Sequence, residues 1–158
     1  MGLVERQAVL EDEREVPHCP AEDQAPESLR KVLIVEDEED IVQLLEYTFR
    51  KHGFLPLVAY DGLAAFDLIE QERPALVLLD ILLPKIDGLE VCRLMRGHHD
   101  KLIATTPVIM LSALASPEDK EKGLRTGANA YMPKPYSVKE VVQVAKQLLA
   151  ADERGCTG

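Results

Sequence analysis

Tryptophan is absent from the 158 residues and aromatic side chains make up only 4% of them, so any core has to be aliphatic. Cysteine is scarce. Cys19, Cys92 and Cys156 form no CxxC and cannot all pair, which speaks for a reducing compartment. No apolar run approaches the roughly 18–20 residues that a membrane-spanning helix needs. The opening MGLVERQAVLEDERE is acidic and lacks the apolar segment of a secretory signal, and Arg6 stands where a myristoylation motif would need Ser or Thr. Neither GxGxxG nor GxxxxGK[ST] occurs, so nucleotide-binding readings find no support. Positive charge is short: 18 basic against 28 acidic residues leave a net charge of −10, which disfavours direct contact with phosphate backbones or anionic lipid. The expectation is a cytoplasmic protein with neither a nucleic-acid partner nor membrane insertion.

What is present divides into a tail and one domain. Residues 1–29 hold eight acids against two arginines, a net of −6, with Pro17, Pro20 and Pro26 and little periodicity. Such a composition struggles to offset chain entropy, so a disordered acidic N-terminal tail is expected. His18 and Cys19 lie in it without a second ligand pair at metal-binding spacing. From residue 30 to 151 short aliphatic runs alternate with helical patterns, and 152–158 reads as a flexible end.

Within that domain Val32–Val35 has the texture of a strand buried on both faces. Ile41, Leu44, Leu45, Thr48 and Phe49 follow at helical spacing and stop near Gly53. Residues 55–59 form a second strand, which Pro56 assigns to a sheet edge. A helix over 63–71 places Ala65, Phe66 and Ile69 on one face. Strands at 75–79, 107–111 and 130–132 then alternate with helices starting at Gly88, Ser116 and Ser137. Asp87-Gly88 reads as loop geometry with a positive φ at the glycine, His98 and His99 as surface residues and Cys92 as core. The last helix is expected to fade around Ala150. Five strands alternating with five helices imply an α/β fold, a flavodoxin-like (βα)5 doubly wound parallel sheet of order 2-1-3-4-5. Its ligands bind beyond the carboxyl ends of the strands.

The residues just past those ends are Glu36 and Asp37 after strand one, Asp80 after strand three, Ser112 after strand four and Lys134 after strand five. Asp80 interrupts the run ALVLLDILLPKIDG, where an unpaired buried charge would cost several kcal/mol. Three converging carboxylates need a divalent cation, and a hard oxygen site that keeps waters suits Mg²⁺. A carboxylate there can act as nucleophile toward a phosphoryl group, with Mg²⁺, Lys134 and the Ser112 hydroxyl stabilising the transferred charge.

Four segments, VLIVEDE (32–38), LVLLDILLPKIDG (76–88), PVIMLSA (107–113) and GANAYMPKPY (127–136), resemble in order and spacing the receiver domain of two-component response regulators. The resemblance implies that Asp80 is the phosphoryl acceptor and that Asp37, Asp80 and the Leu82 backbone carbonyl ligate Mg²⁺, with Glu36 acting through water. It makes Ser112 and Lys134 the family's hydroxyl and lysine, and Tyr131 the switch aromatic, which packs inward when the hydroxyl moves. It also implies a cis Lys134–Pro135 bond. The expected function is a phosphorylation-dependent switch that takes its phosphoryl group from a sensor histidine kinase or a histidine phosphotransfer protein. It would not be an enzyme beyond its own phosphorylation and dephosphorylation. With no effector module expected after the last helix, output would pass through a downstream protein target or a phosphorelay, and homodimerisation on phosphorylation through the fourth and fifth helices stays open.

Two departures matter. Glu36 stands where aspartate is common in the family. Leu82 and Leu114, each two residues past Asp80 and Ser112, are apolar at positions that influence water attack on the phosphoaspartate. Two alternatives are weighed against the receiver reading. A haloacid-dehalogenase-like phosphatase would want an aspartate at Leu82 and a cap domain. A degenerate receiver that serves only to bind proteins would not need Asp37, Asp80, Ser112 and Lys134 together.

Overall fold

The computed structural model describes residues 29–157, with side chains as far as Ala151, so the acidic N-terminal segment, with His18 and Cys19, lies outside the described residues. Five strands, β1 (Lys31–Val35), β2 (Leu55–Ala59), β3 (Leu76–Asp80), β4 (Val108–Ser112) and β5 (Ala130–Pro133), form one all-parallel sheet of order β2-β1-β3-β4-β5. Among the described residues six helices connect and follow them: α1 (Glu39–Lys51), α2 (Gly62–Glu72), α3 (Gly88–Arg96), the single turn α4 (Lys101–Ala104), α5 (Pro117–Thr126) and α6 (Val138–Thr157). The α/β class and strand order expected from the sequence are those observed. Pro56 sits on the edge strand, opposite Val32.

Alternation along the strands divides the core into two layers. Leu33, Val35, Val77, Leu79, Val108 and Met110 face α2 and α3, packing on Ala65, Ile69, Val91, Cys92 and Met95. Val32, Ile34, Leu76, Leu78, Ile109 and Leu111 face α1 and α6, packing on Leu45, Phe49, Val141, Val142, Ala145 and Leu149. Every residue of β3 and β4 is buried. Asp80 therefore lies at the end of a fully covered central strand, where a charge is costly unless it is compensated.

Helix ends follow local chemistry. The Asp61, Asp87 and Ser116 side chains accept the N–H groups of Ala64, Glu90 and Asp119, and Gly53 (φ 88°) follows the last turn of α1.

Four expectations need correction. On α1 Leu45 and Phe49 are buried as expected, but the third member of the buried stripe is Val42, whereas Leu44 is 52% exposed and the Thr48 hydroxyl donates to its carbonyl. The positive φ in the β3–α3 loop falls on Lys85 (71°) and Asp87 is a helix cap. His98 is not a plain surface residue: its side chain is 9% exposed, Nε2 lies 2.8 Å from Glu70 Oε2 and Nδ1 accepts the Asp100 N–H. Finally, α6 continues to Thr157, beyond the apolar stripe that ends at Leu149, and α4, capped by Asp100, makes a sixth helix.

Gly88 has a steric reason to be glycine. A Cβ there would stand 2.2 Å from the Asp80 carbonyl oxygen, while the Gly88 N–H donates to the Ile81 carbonyl at 2.8 Å. Since backbone cannot yield as a side chain can, Gly88→Ala is expected to cost about 2 kcal/mol in urea unfolding. An unchanged unfolding midpoint would contradict this packing.

Candidate phosphoryl-transfer site

The carboxyl ends of β1, β3, β4 and β5 bring Glu36, Asp37, Asp80, Ser112 and Lys134 to one edge of the sheet. Ser112 pairs with Pro133, and the Ser112 carbonyl accepts the Lys134 N–H at 2.7 Å, so strand pairing itself fixes where the lysine leaves the sheet. The Lys134–Pro135 bond is cis. Lys134 Nζ donates to Glu36 Oε1 and to Asp80 Oδ2, each at 3.0 Å. Each carboxylate also receives a backbone N–H: Glu36 Oε2 that of Glu38 at 3.2 Å, and Asp80 Oδ1 that of Leu82 at 3.1 Å.

One ammonium serves two buried acids. Glu36 and Asp80 are 1% and 4% exposed, and Asp37, exposed, brings a third carboxylate so that ligand oxygens of all three lie within 4.8 Å of one another. Burial raises the Glu36 pKa, the Lys134 hydrogen bond lowers it, the Asp80 charge raises it again, and the net direction is upward. Burial pulls the Lys134 ammonium toward neutrality, but its hydrogen bonds to Asp80 and Glu36 outweigh this and hold its pKa above the ordinary lysine value. Three carboxylates against one ammonium leave a formal charge of −2. The donors are all hard oxygens and one of them is open to solvent, which suits a partly hydrated magnesium ion.

Ser112 is fully buried, its Oγ accepting the Leu114 N–H at 3.1 Å. Two residues on, the Leu114 carbonyl accepts the Tyr131 hydroxyl at 2.5 Å. The Tyr131 ring is inward, 6% exposed, in a notch that a Cβ on Gly123 would fill at 2.7 Å. Sequence reading singled out Ser112 and Tyr131 but not the backbone of Leu114 that links them, nor Gly123, which carries no signal until α5 is docked.

A family model of the response regulator receiver domain matches residues 32–146, from β1 into the first half of α6. The chain belongs to the response regulator receiver domain family. Solved receiver structures agree. The receiver domain of Francisella response regulator 1452 is 33% identical, with TM-score 0.72, covering 78% of this chain and 98% of its own. The BeF3-activated N-terminal receiver domain of Klebsiella pneumoniae RstA is 31% identical, with TM-score 0.69, covering 76% and 98%. A CheY-like receiver domain protein from Methanospirillum hungatei is 29% identical, with TM-score 0.74, covering 81% and 99%.

Receiver domains are regulatory phosphoacceptors, and in this receiver the family's four segments supply the residues gathered at the sheet edge. Leu82, where a haloacid-dehalogenase-like phosphatase would carry a second aspartate, is 54% exposed. Among the described residues no helix is long and apolar enough to cross a membrane.

Proposed function

We propose that this receiver is a phosphorylation-controlled switch in which Asp80 takes a phosphoryl group from a phosphohistidine on a sensor kinase or phosphotransfer protein. The observation that carries the reading is the Lys134 ammonium shared between Glu36 and Asp80 at 3.0 Å beside a cation-competent acidic cluster. Asp80 attacks phosphorus, the bond from phosphorus to the imidazole nitrogen breaks, and the electron pair returns to the ring. Lys134 follows the developing charge from Asp80 Oδ2 to a phosphoryl oxygen, and the Ser112 hydroxyl turns from the Leu114 N–H to another. Asp37, Asp80 and the Leu82 carbonyl would hold Mg²⁺ directly and Glu36 through water. When bound, the ion supplies positive charge against the phosphoryl oxygens.

Release of the Leu114 N–H couples the site to Tyr131, whose hydroxyl bonds the carbonyl of the same residue. A partner that reads the β4–α5 loop thereby reads the charge on Asp80. The donor has an apolar place to rest next to the site. Ile41, Leu44, Pro135, Tyr136 and Val138 line a cavity of about 390 Å³ with Lys134, and Tyr47 on α1 is 64% exposed. Output passes to a downstream protein target or along a phosphorelay in the cytoplasm.

The test is incubation with acetyl phosphate and Mg²⁺ followed by intact-mass spectrometry, with a gain of about 80 Da expected on the wild type. No side chain at Leu82 or Leu114 can orient an attacking water, so the phosphorylated state is expected to be long-lived. Leu82→Asn should speed dephosphorylation about tenfold, and an unchanged decay of the adduct would refute that role.

A further inference from the structure

Tyr136 stands immediately after the cis Lys134–Pro135 bond, and its ring packs on the α1/α6 side of the core. Its hydroxyl oxygen has less than 1 Å² of accessible surface and no hydrogen-bond partner among the described residues. Buried polar atoms are paired in the great majority of cases, so an orphan next to a reactive site calls for an explanation. Burial pushes the phenol up to about 12, and the charge acting on it most strongly is that of Glu36, ahead of Lys134, Asp80 and Glu38.

Glu36 is the group with an acceptor to offer. Its Oε2 holds the Glu38 N–H, while its Oε1 depends on Lys134, the cation that phosphoryl transfer draws away. Once Lys134 turns to the phosphoryl group, a buried carboxylate oxygen loses its donor, while the Tyr136 hydroxyl, whose residue lines the same cavity as Lys134, is still without an acceptor among the described residues. Resting on the receiver reading above, we infer that Tyr136 is a positioning residue whose hydroxyl takes over Glu36 Oε1 when Lys134 leaves it. It would thereby hold Glu36 in place through the phosphorylated state. The orphan hydroxyl is then a stability cost of the resting protein that phosphorylation converts into a charge-assisted hydrogen bond. Sequence reading passed over this residue because nothing in a tyrosine two places after a lysine shows that its oxygen will be buried alone.

The test is Tyr136→Phe, which deletes the oxygen and keeps the ring. Calorimetric titration with Mg²⁺ alone and with Mg²⁺ plus beryllofluoride, a stand-in for the phosphoryl group, is combined with thermal melts of the free protein. The variant is expected to melt about 2 °C higher than the wild type, since it loses an unsatisfied buried group. It should bind Mg²⁺ alone within twofold of the wild type but beryllofluoride about tenfold more weakly, because only that complex draws Lys134 away. In a Glu36→Ala background the beryllofluoride effect should shrink below about twofold. Equal beryllofluoride affinity in wild type and Tyr136→Phe, or an undiminished loss without Glu36, would overturn the inference while leaving the switch reading intact. Failure of the wild type itself to bind beryllofluoride would overturn both.

Discussion

Asp80→Asn is expected to abolish the gain of about 80 Da on incubation with acetyl phosphate and Mg²⁺, with no slower residual labelling. The carboxamide fills the same space at the end of β3, where Asp80 is 4% exposed, but it offers no anionic oxygen to phosphorus. With one acceptor oxygen in place of two it can no longer serve both the Leu82 N–H and Lys134, and it replaces one of three candidate anionic metal ligands by a neutral one. Mg²⁺ affinity should therefore fall together with phosphorylation, by about ten- to a hundredfold in calorimetry. Were the variant still labelled to the wild-type extent, the nucleophile would have to be another group, and Asp37 would be the first to examine.

Lys134→Met should show the second large effect, on stability as well as on chemistry. Removing the ammonium leaves Glu36 and Asp80 buried with no cation beside them, a situation that costs about 3 kcal/mol when one partner of a buried pair is deleted. The size of that loss should depend on pH in a definite direction. In the wild type the Glu36 pKa is already raised by burial and by Asp80 despite the hydrogen bond from Lys134, so removing Lys134 raises it further. A carboxyl with a raised folded-state pKa contributes its stability below its unfolded pKa and loses it as pH rises through the folded one. Acidification from neutrality toward pH 5 should therefore recover part of the variant's lost stability relative to the wild type, and millimolar Mg²⁺ at neutral pH should recover another part. Phosphorylation by acetyl phosphate should fall by about a hundredfold or more. Urea unfolding across pH, with and without Mg²⁺, checks the first two. A pH-independent deficit would mean that the lysine does not serve as the counter-ion of these acids.

Much of the fold could be read from the chain because its strands are short aliphatic runs bounded by Gly, Pro and capping residues. Pro56 marked the edge strand before any pairing was known. The five residues at or just past the strand ends were legible for a topological reason: parallel crossovers put every strand's carboxyl end on the same side, so sequence order alone gathers Glu36, Asp37, Asp80, Ser112 and Lys134. Properties that depend on rotation about a helix axis or on docking were not legible. On α1 Leu45 and Phe49 were legible, but Leu44 and Thr48 were added and Val42 left out because Ile41, Leu44 and Thr48 keep helical spacing as well as Val42, Leu45 and Phe49 do. His98 looked like surface because its partner, Glu70, is far away in sequence, and Gly123 gained meaning only with the Tyr131 ring against it.

The central claim is that Asp80 is the one carboxylate in this acidic cluster that captures phosphorus. Borohydride reduction after labelling with acetyl phosphate and Mg²⁺ tests it most directly, because hydride converts an acyl phosphate to the corresponding alcohol and leaves free carboxylates untouched. Peptide mass mapping is predicted to find homoserine at position 80 of the wild type and at no other acid. Reduction at Asp37 or Glu36, or none in protein that has gained the phosphoryl mass, would contradict the account.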